Sequence, residues 1–300
     1  MIFLSEEQVR PFLSYEDLIP AMEQALVRFS SGEINQPVRT TLRISENDGL
    51  WALMPAVDGD IMGVKLVTVY ENNGNIGLPT HQAVIQLFSA KTGELLATID
   101  GRLITEMRTA AVSAVATRLL SRSDARVLTV LGTGVQAKAH IRALKLVGQF
   151  EEIRVWGRTW ENAQRIAEEL NVRAVSDLEA AVRGADVVVS AAHVNEPLVR
   201  GKWLGTETYV NAVATVGPLR RELDDEVMHN AAIIVESREA ALHESGDILS
   251  SGAMIYAELG ELLAGKVALP TGRRIVYKAL GIGAEDIAAA RLVHQAILQK

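Results

Sequence analysis

The chain has 300 residues, a net charge of −7 and no cysteine. An acidic balance argues against the basic footprint of a nucleic-acid binder, and the missing thiols exclude disulfides, thiolate metal sites and a cysteine nucleophile. With 48% hydrophobic residues and no apolar run of the roughly 18 residues that span a bilayer, the expectation is a cytoplasmic two-domain protein with ample core and no membrane partner.

Ser5-Glu6-Glu7-Gln8 reads as a capping box that opens a short helix. Ser14 opens a second, with Leu18, Met22, Leu26 and Phe29 at helical spacing and Gly32 as its stop. From Pro37 the period changes to two. Val38, Leu42 and Ile44 fall on one face of a predicted strand, Arg39, Thr41 and Arg43 on the other. Strands over 50–57, 61–70, 81–89 and 95–100, separated by Asn-, Asp- and Gly-rich turns, form an antiparallel meander. An alanine-rich helix over 103–120 follows.

From Arg126 the pattern becomes alternating strand and helix. Strands are expected over 127–131, 152–156, 172–175, 186–191, 209–214 and 233–236, and helices over 135–147, 160–170, 177–183 and 222–229. That alternation implies an α/β fold with a parallel, doubly wound sheet. Helical signals continue from 239 to 265. A strand over 274–280 and a closing helix over 284–299 are expected to rejoin the N-terminal domain.

The run Val127–Leu131 leads into Gly132-Thr133-Gly134-Val135-Gln136-Ala137. Gly132 permits a sharp turn, Gly134 lets backbone approach a pyrophosphate, and Ala137 lets helix pack closely on strand. The phosphates would sit at the helix N-terminus, where free N–H groups favour anions. The next strand ends in Gly157-Arg158-Thr159 with no acid for a ribose 2′-hydroxyl. Arg158 and Thr159 suit a 2′-phosphate, so the expected cofactor is NADPH.

Arg108 follows a presumed Thr105 cap and is read as lying in the first turn of its helix. A cation there opposes the helix dipole unless an anion is close, either a substrate carboxylate or an acid of the chain such as Glu106. Lys65 shares a strand face with Val67 and Val69, so it lies either at a sheet edge or in a site. Arg39 poses the same question, and His81 is a weaker candidate. His229 and His243 are isolated, no metal pattern is present, and no GxSxG elbow exists.

Several segments together carry a resemblance to a known family: QPVRT (36–40), KLVTVYENN (65–73), LPTHQAVIQLF (78–88), DGRLITEMRTAAVSAVAT (100–117), LGTGVQA (131–137), GRTWENA (157–163), RELDDE (221–226) and ESGDILSSGAMIYAELGEL (244–262). The chain resembles the ornithine cyclodeaminase/mu-crystallin family, and within it the mu-crystallin-type ketimine reductases. The resemblance implies a Rossmann-type NADP-binding domain over 119–271. It also implies a discontinuous α+β substrate-binding and dimerisation domain from 1–118 and 272–300, in a homodimer. It assigns Arg39, Lys65 and Arg108 to the substrate carboxylate, and His81 stays a weaker catalytic candidate read from the residues alone. The Gly132–Ala137 turn, Arg158, Thr159 and Val213 fall to the cofactor.

Val216 stands where cyclodeaminases of the family carry an aspartate, which argues against ornithine cyclodeamination, since valine transfers no proton. The implied activity is NADPH-dependent reduction of the C=N bond of cyclic ketimine carboxylates or related imines. The alternatives are reductive amination of α-keto acids or ketones, and a non-catalytic NADPH-dependent binding protein of the thyroid-hormone type.

Overall fold

The computed structural model describes residues 1–299. Two compact units are present. One is Met1–Thr109 with the segment from Gly281 onward, and the other is Ala110–Leu280. The helix Arg102–Leu120 has residues on both sides of the division. No helix of the described residues is long and apolar enough to cross a membrane.

The first unit is built on a seven-stranded sheet. Its strands are β1 (Ile2–Leu4), β2 (Ile34–Asn35), β3 (Thr40–Ile44), β4 (Gly49–Asp58), β5 (Ile61–Tyr70), β6 (His81–Ser89) and β7 (Leu95–Asp100), in the order β1-β7-β6-β5-β4-β2, with β3 also on β4. The β4–β7 meander follows the predicted turns. The Ser5 capping box forms, and the Ser14 hydroxyl accepts from the Asp17 amide at 3.2 Å. The helix Tyr15–Ser30 buries Leu18, Met22 and Leu26. It packs against the closing helix Gly283–Leu298, which in turn lies on β4, β5 and β6.

One local expectation is corrected here. Arg39 precedes β3 instead of belonging to it, and β3 is exposed along most of both faces, with Leu42 49% exposed. The alternation of residues 38–44 therefore does not mark a core-facing strand.

The second unit holds an eight-stranded, wholly parallel sheet. It comprises β8 (Val127–Leu131), β9 (Glu152–Trp156), β10 (Arg173–Ala174), β11 (Val187–Ser190), β12 (Tyr209–Ala212), β13 (Ala231–Val235), β14 (Ile255–Glu258) and β15 (Arg274–Lys278). The order is β10-β9-β8-β11-β12-β15-β13-β14. The chain winds outward from β8 through β9 to β10, then restarts on the other side at β11. The crevice between β8 and β11 is thus the topological switch point, where ligands of open α/β sheets bind.

The last strand departs from the sequence expectation. β15 does not join the N-terminal sheet but inserts between β12 and β13, and only the closing helix enters the first unit. The division consequently falls near 110 and 281, not 119 and 272. The reason is burial: Ile275, Val276 and Tyr277 are covered on both sides, as a central parallel strand requires. β14 also forms within a stretch read as helical.

At the end of β15 the Lys278 ammonium is wholly buried. It donates to the Thr215 carbonyl at 2.9 Å, contacts the Asp247 carboxylate at 3.2 Å and pairs with Glu222. Glu222 also accepts from the Ala214 and Thr215 amides at 3.1 and 3.2 Å, which fixes the turn after β12. Burial works against this ammonium, but the two carboxylates outweigh it and raise its pKa above the ordinary lysine value. Lys278→Met strands two buried carboxylates. It is expected to cost about 3–5 kcal/mol, read as a fall in the urea midpoint.

Candidate active site

β5 is an interior strand between β4 and β6, so Lys65 is not an edge lysine. Its cross-strand partners are Met54 and Ile85, both buried, and its own side chain is 2% exposed. The ammonium contacts Asp286 Oδ2 at 2.6 Å. Arg108 Nε donates to Asp286 Oδ1 at 2.9 Å, and Arg108 Nη1 donates to Glu285 at 2.8 Å. Arg39 Nη2 donates to the Gly281 carbonyl at 2.6 Å. Gly281 has φ +73°, and a Cβ there would lie 2.6 Å from Arg108 Nη1, so the residue lets the guanidinium lie against the chain.

Three of the four predicted substrate residues thus fall in one cluster, and the fourth, His81, stands at the start of β6 within its field. Burial first, then Lys65 and Arg108, push the His81 pKa down to about 4, so the imidazole is neutral at neutral pH. Burial pulls Lys65 down to about 8; Asp286 opposes the fall, and Arg108 and Arg39 assist it. For Asp286, burial favours the neutral acid, but Arg108 and Lys65 prevail and hold its pKa below the usual value.

Arg108 belongs to the cluster but does not lie in the first turn of its helix. The helix begins at Arg102, three residues before Thr105. The Thr105 hydroxyl donates back to the Gly101 carbonyl at 2.7 Å and caps nothing. Arg108 therefore lies in the second turn, beyond the reach of the N-terminal dipole. The acids beside it are Glu285 and Asp286, in the first turn of the closing helix.

In the second unit, β8 ends in the glycine turn. Gly132 has φ +134°, and a Cβ there would come within 2.6 Å of the Ala191 carbonyl oxygen, at the end of β11. Gly134 caps the helix Val135–Leu144, which has no side-chain cap, and a Cβ at Gly134 meets nothing within 4 Å. Ala137 is fully buried where helix meets sheet. Thr133 and Gln136 are half-buried, and Val135 is exposed. A closed glycine turn, an open backbone cradle and an uncapped helix start at a switch point are features that fit a dinucleotide pyrophosphate. Arg158 and Thr159 lie exposed just beyond β9, Thr159 without a capping bond, and Arg158 makes no ion pair among the described residues. Val213, half-buried, follows β12, its amide donating to the Ser190 carbonyl at 3.1 Å.

The model of the ornithine cyclodeaminase/mu-crystallin family matches residues 1–300. The chain belongs to that family. It is 45% identical over 300 residues to the mouse ketimine reductase mu-crystallin, covering 97% of this chain and 96% of the relative. In structure it is similar to the Thermococcus litoralis Δ1-pyrroline-2-carboxylate reductase solved with NADH and L-proline. That match has a TM-score of 0.95 and 32% identity, and covers 100% of this chain and 98% of the other. An archaeal alanine dehydrogenase dimer with bound NAD also matches, with a TM-score of 0.93 and 28% identity over 99% and 96% of the two chains.

In this member of the ornithine cyclodeaminase/mu-crystallin family, sequence reasoning missed Gly281, Glu285 and Asp286. An acidic pair in a helix's first turn reads as ordinary dipole complementation. The available signal was position: Asp286 shares a helical stripe with Ala290 and Val293, all of them buried.

Proposed function

We propose that this protein reduces the C=N bond of cyclic ketimine carboxylates, with NADPH as the preferred cofactor. The observation that carries the reading is the cluster in the first unit. Lys65 and Arg108 are buried cations held together by Asp286 and Glu285, and Arg39 adds to the positive field on Lys65. A desolvated lysine and arginine side by side, with the Arg39 field added, suit the carboxylate of a substrate.

The division into a substrate-binding unit and a dinucleotide-binding unit, assembled as a homodimer, belongs to the same proposal. The exposed β3 supplies a surface for a second copy. The Gly132–Ala137 turn would hold the pyrophosphate of a reduced nicotinamide dinucleotide, whose chemistry is hydride donation. Arg39, Arg108 and Lys65 hold the substrate carboxylate and so orient the C=N carbon, the positive field acting on the carboxylate. His81, neutral, can donate or accept a hydrogen bond at the substrate without adding charge. A ring imine that is already protonated accepts hydride readily, so positioning supplies most of the effect.

The 2′-phosphate preference rests on Arg158, an exposed cation with no ion pair among the described residues. Arg158→Ala is expected to lower the preference for NADPH over NADH by roughly ten- to a hundredfold, the loss of one charge-assisted bond of about 1.5–3 kcal/mol. The ratio of kcat/KM for the two cofactors measures it.

The direct test follows loss of reduced-nicotinamide absorbance. A cyclic ketimine carboxylate, pyruvate with methylamine, and no acceptor are compared, each with NADPH and NADH. Turnover of the ketimine with NADPH preferred is the expected result. Turnover only with added amine moves the reading to reductive amination. Binding of NADPH without turnover of any acceptor sinks it in favour of a binding protein.

A further inference from the structure

The Lys65 ammonium has buried apolar neighbours on both flanking strands. Charged groups reach it from four places. Arg108, from the helix Arg102–Leu120, and Arg39, ahead of β3, are cations that repel its proton. His81, on β6, is neutral when Lys65 is charged. Glu285, in the closing helix, is engaged by Arg108 at 2.8 Å. Asp286 is the carboxylate placed directly on the ammonium, at 2.6 Å, and its other oxygen is held by Arg108 Nε at 2.9 Å. The carboxylate is therefore fixed at both ends, one oxygen to each cation, with zero exposure.

We propose that Asp286 is a positioning residue for the reaction: it keeps Lys65 charged and locks Lys65 and Arg108 at a fixed separation, ready for a substrate carboxylate. This inference rests on the reading that Lys65 meets substrate.

The consequence is a pH limit. The ammonium is the competent form, so kcat/KM holds below the Lys65 pKa and falls as pH rises through about 8. Without the Asp286 charge, burial and the two arginines act unopposed. The proton then leaves at lower pH, a shift of about one to three units for one adjacent opposite charge. Asp286→Asn, close to isosteric, is expected to move the alkaline limb of the kcat/KM profile down by at least about one unit. Asp286→Glu, which keeps the charge, is expected to leave the limb near its wild-type position while lowering kcat. Glu285→Gln, on the Arg108 side of the cluster, is expected to raise KM more than it moves the limb.

A second readout does not need turnover. The full-length protein is labelled with 13C at lysine Cε, the Lys65 signal is assigned by its loss in Lys65→Arg, and it is titrated in wild type and Asp286→Asn. A downward shift of its midpoint in the variant supports the inference. If the wild type reduces imines but neither limb nor midpoint moves, the inference falls and the function stands. If the midpoint moves but no imine is reduced, the function falls and the Asp286–Lys65 device stands. Should Asp286→Asn fail to fold, the wild-type titration decides: a Lys65 already neutral at pH 7 overturns the inference, and a charged one with a midpoint near 8 supports it.

Discussion

Lys65→Met is expected to lower kcat/KM for a cyclic ketimine carboxylate by about a hundred- to ten-thousandfold, the range for loss of a positioned, charge-bearing catalytic group. The side chain lies at the centre of the cluster, 2.6 Å from Asp286, with little solvent to substitute for it. The fold should survive the change. Asp286 keeps its bond to Arg108 and so is not left as an isolated charge, which holds the stability loss to the low end of the roughly 3–5 kcal/mol for breaking a buried pair. Lys65→Arg keeps a fixed cation and is expected to lose less, although its broader head must fit the same buried space. Steady-state kinetics beside a thermal melt separate the two effects. Unchanged kcat/KM in a folded Lys65→Met protein would remove Lys65 from the site.

The second large effect is expected at the glycine turn, where two neighbouring substitutions should part company. Gly132→Ala puts a methyl against the Ala191 carbonyl, at a backbone angle that L-residues avoid. Both obstacles are backbone, so β8 and β11 must separate or the turn must move. A strain of about 1–3 kcal/mol and loss of NADPH binding are expected together. Gly134→Ala meets no protein atom within 4 Å and adopts an ordinary φ of −86°. Its urea midpoint should stay at the wild-type value while NADPH affinity falls, because the methyl fills the space that the phosphates need. Fluorescence titration with NADPH, run beside the urea melts, reads both. A Gly134→Ala protein that binds NADPH like wild type would argue against pyrophosphate at this turn.

Much of this was legible because periodicity reports burial. Spacing put Lys65 on one face of β5 with Val67 and Val69 and left edge and site both open, and the shift at Arg126 from period two to strand–helix alternation announced the parallel sheet. What periodicity does not encode is partnership. The run Arg274–Lys278 reads as a strand in either sheet, and its double-sided burial assigns it only once its neighbours are known. The helix Arg102–Leu120 was read to within one residue, but the place of Arg108 on it went astray. A threonine can cap a helix or donate back to the preceding turn, and Thr105 does the latter. That misreading took the dipole argument for Arg108 with it; burial is what calls for acids beside the guanidinium, and they come from almost 180 residues away in the chain. Such pairs, distant in sequence and adjacent in space, leave no mark on local spacing.

The position of β15 also bears on how the chain is made. β12 and β13 flank a gap that only residues 274–278 fill, and the helix that completes the other unit's core comes later still. A nascent chain leaving the ribosome can assemble β8 to β12 early. It must then carry β13 and β14 without their inner neighbour until the last tenth of the sequence emerges. During that interval two buried-type strand edges stand open to wrong partners. Both units finish folding on the same short stretch of chain, so a protease cut or a stalled ribosome near residue 270 disables both at once.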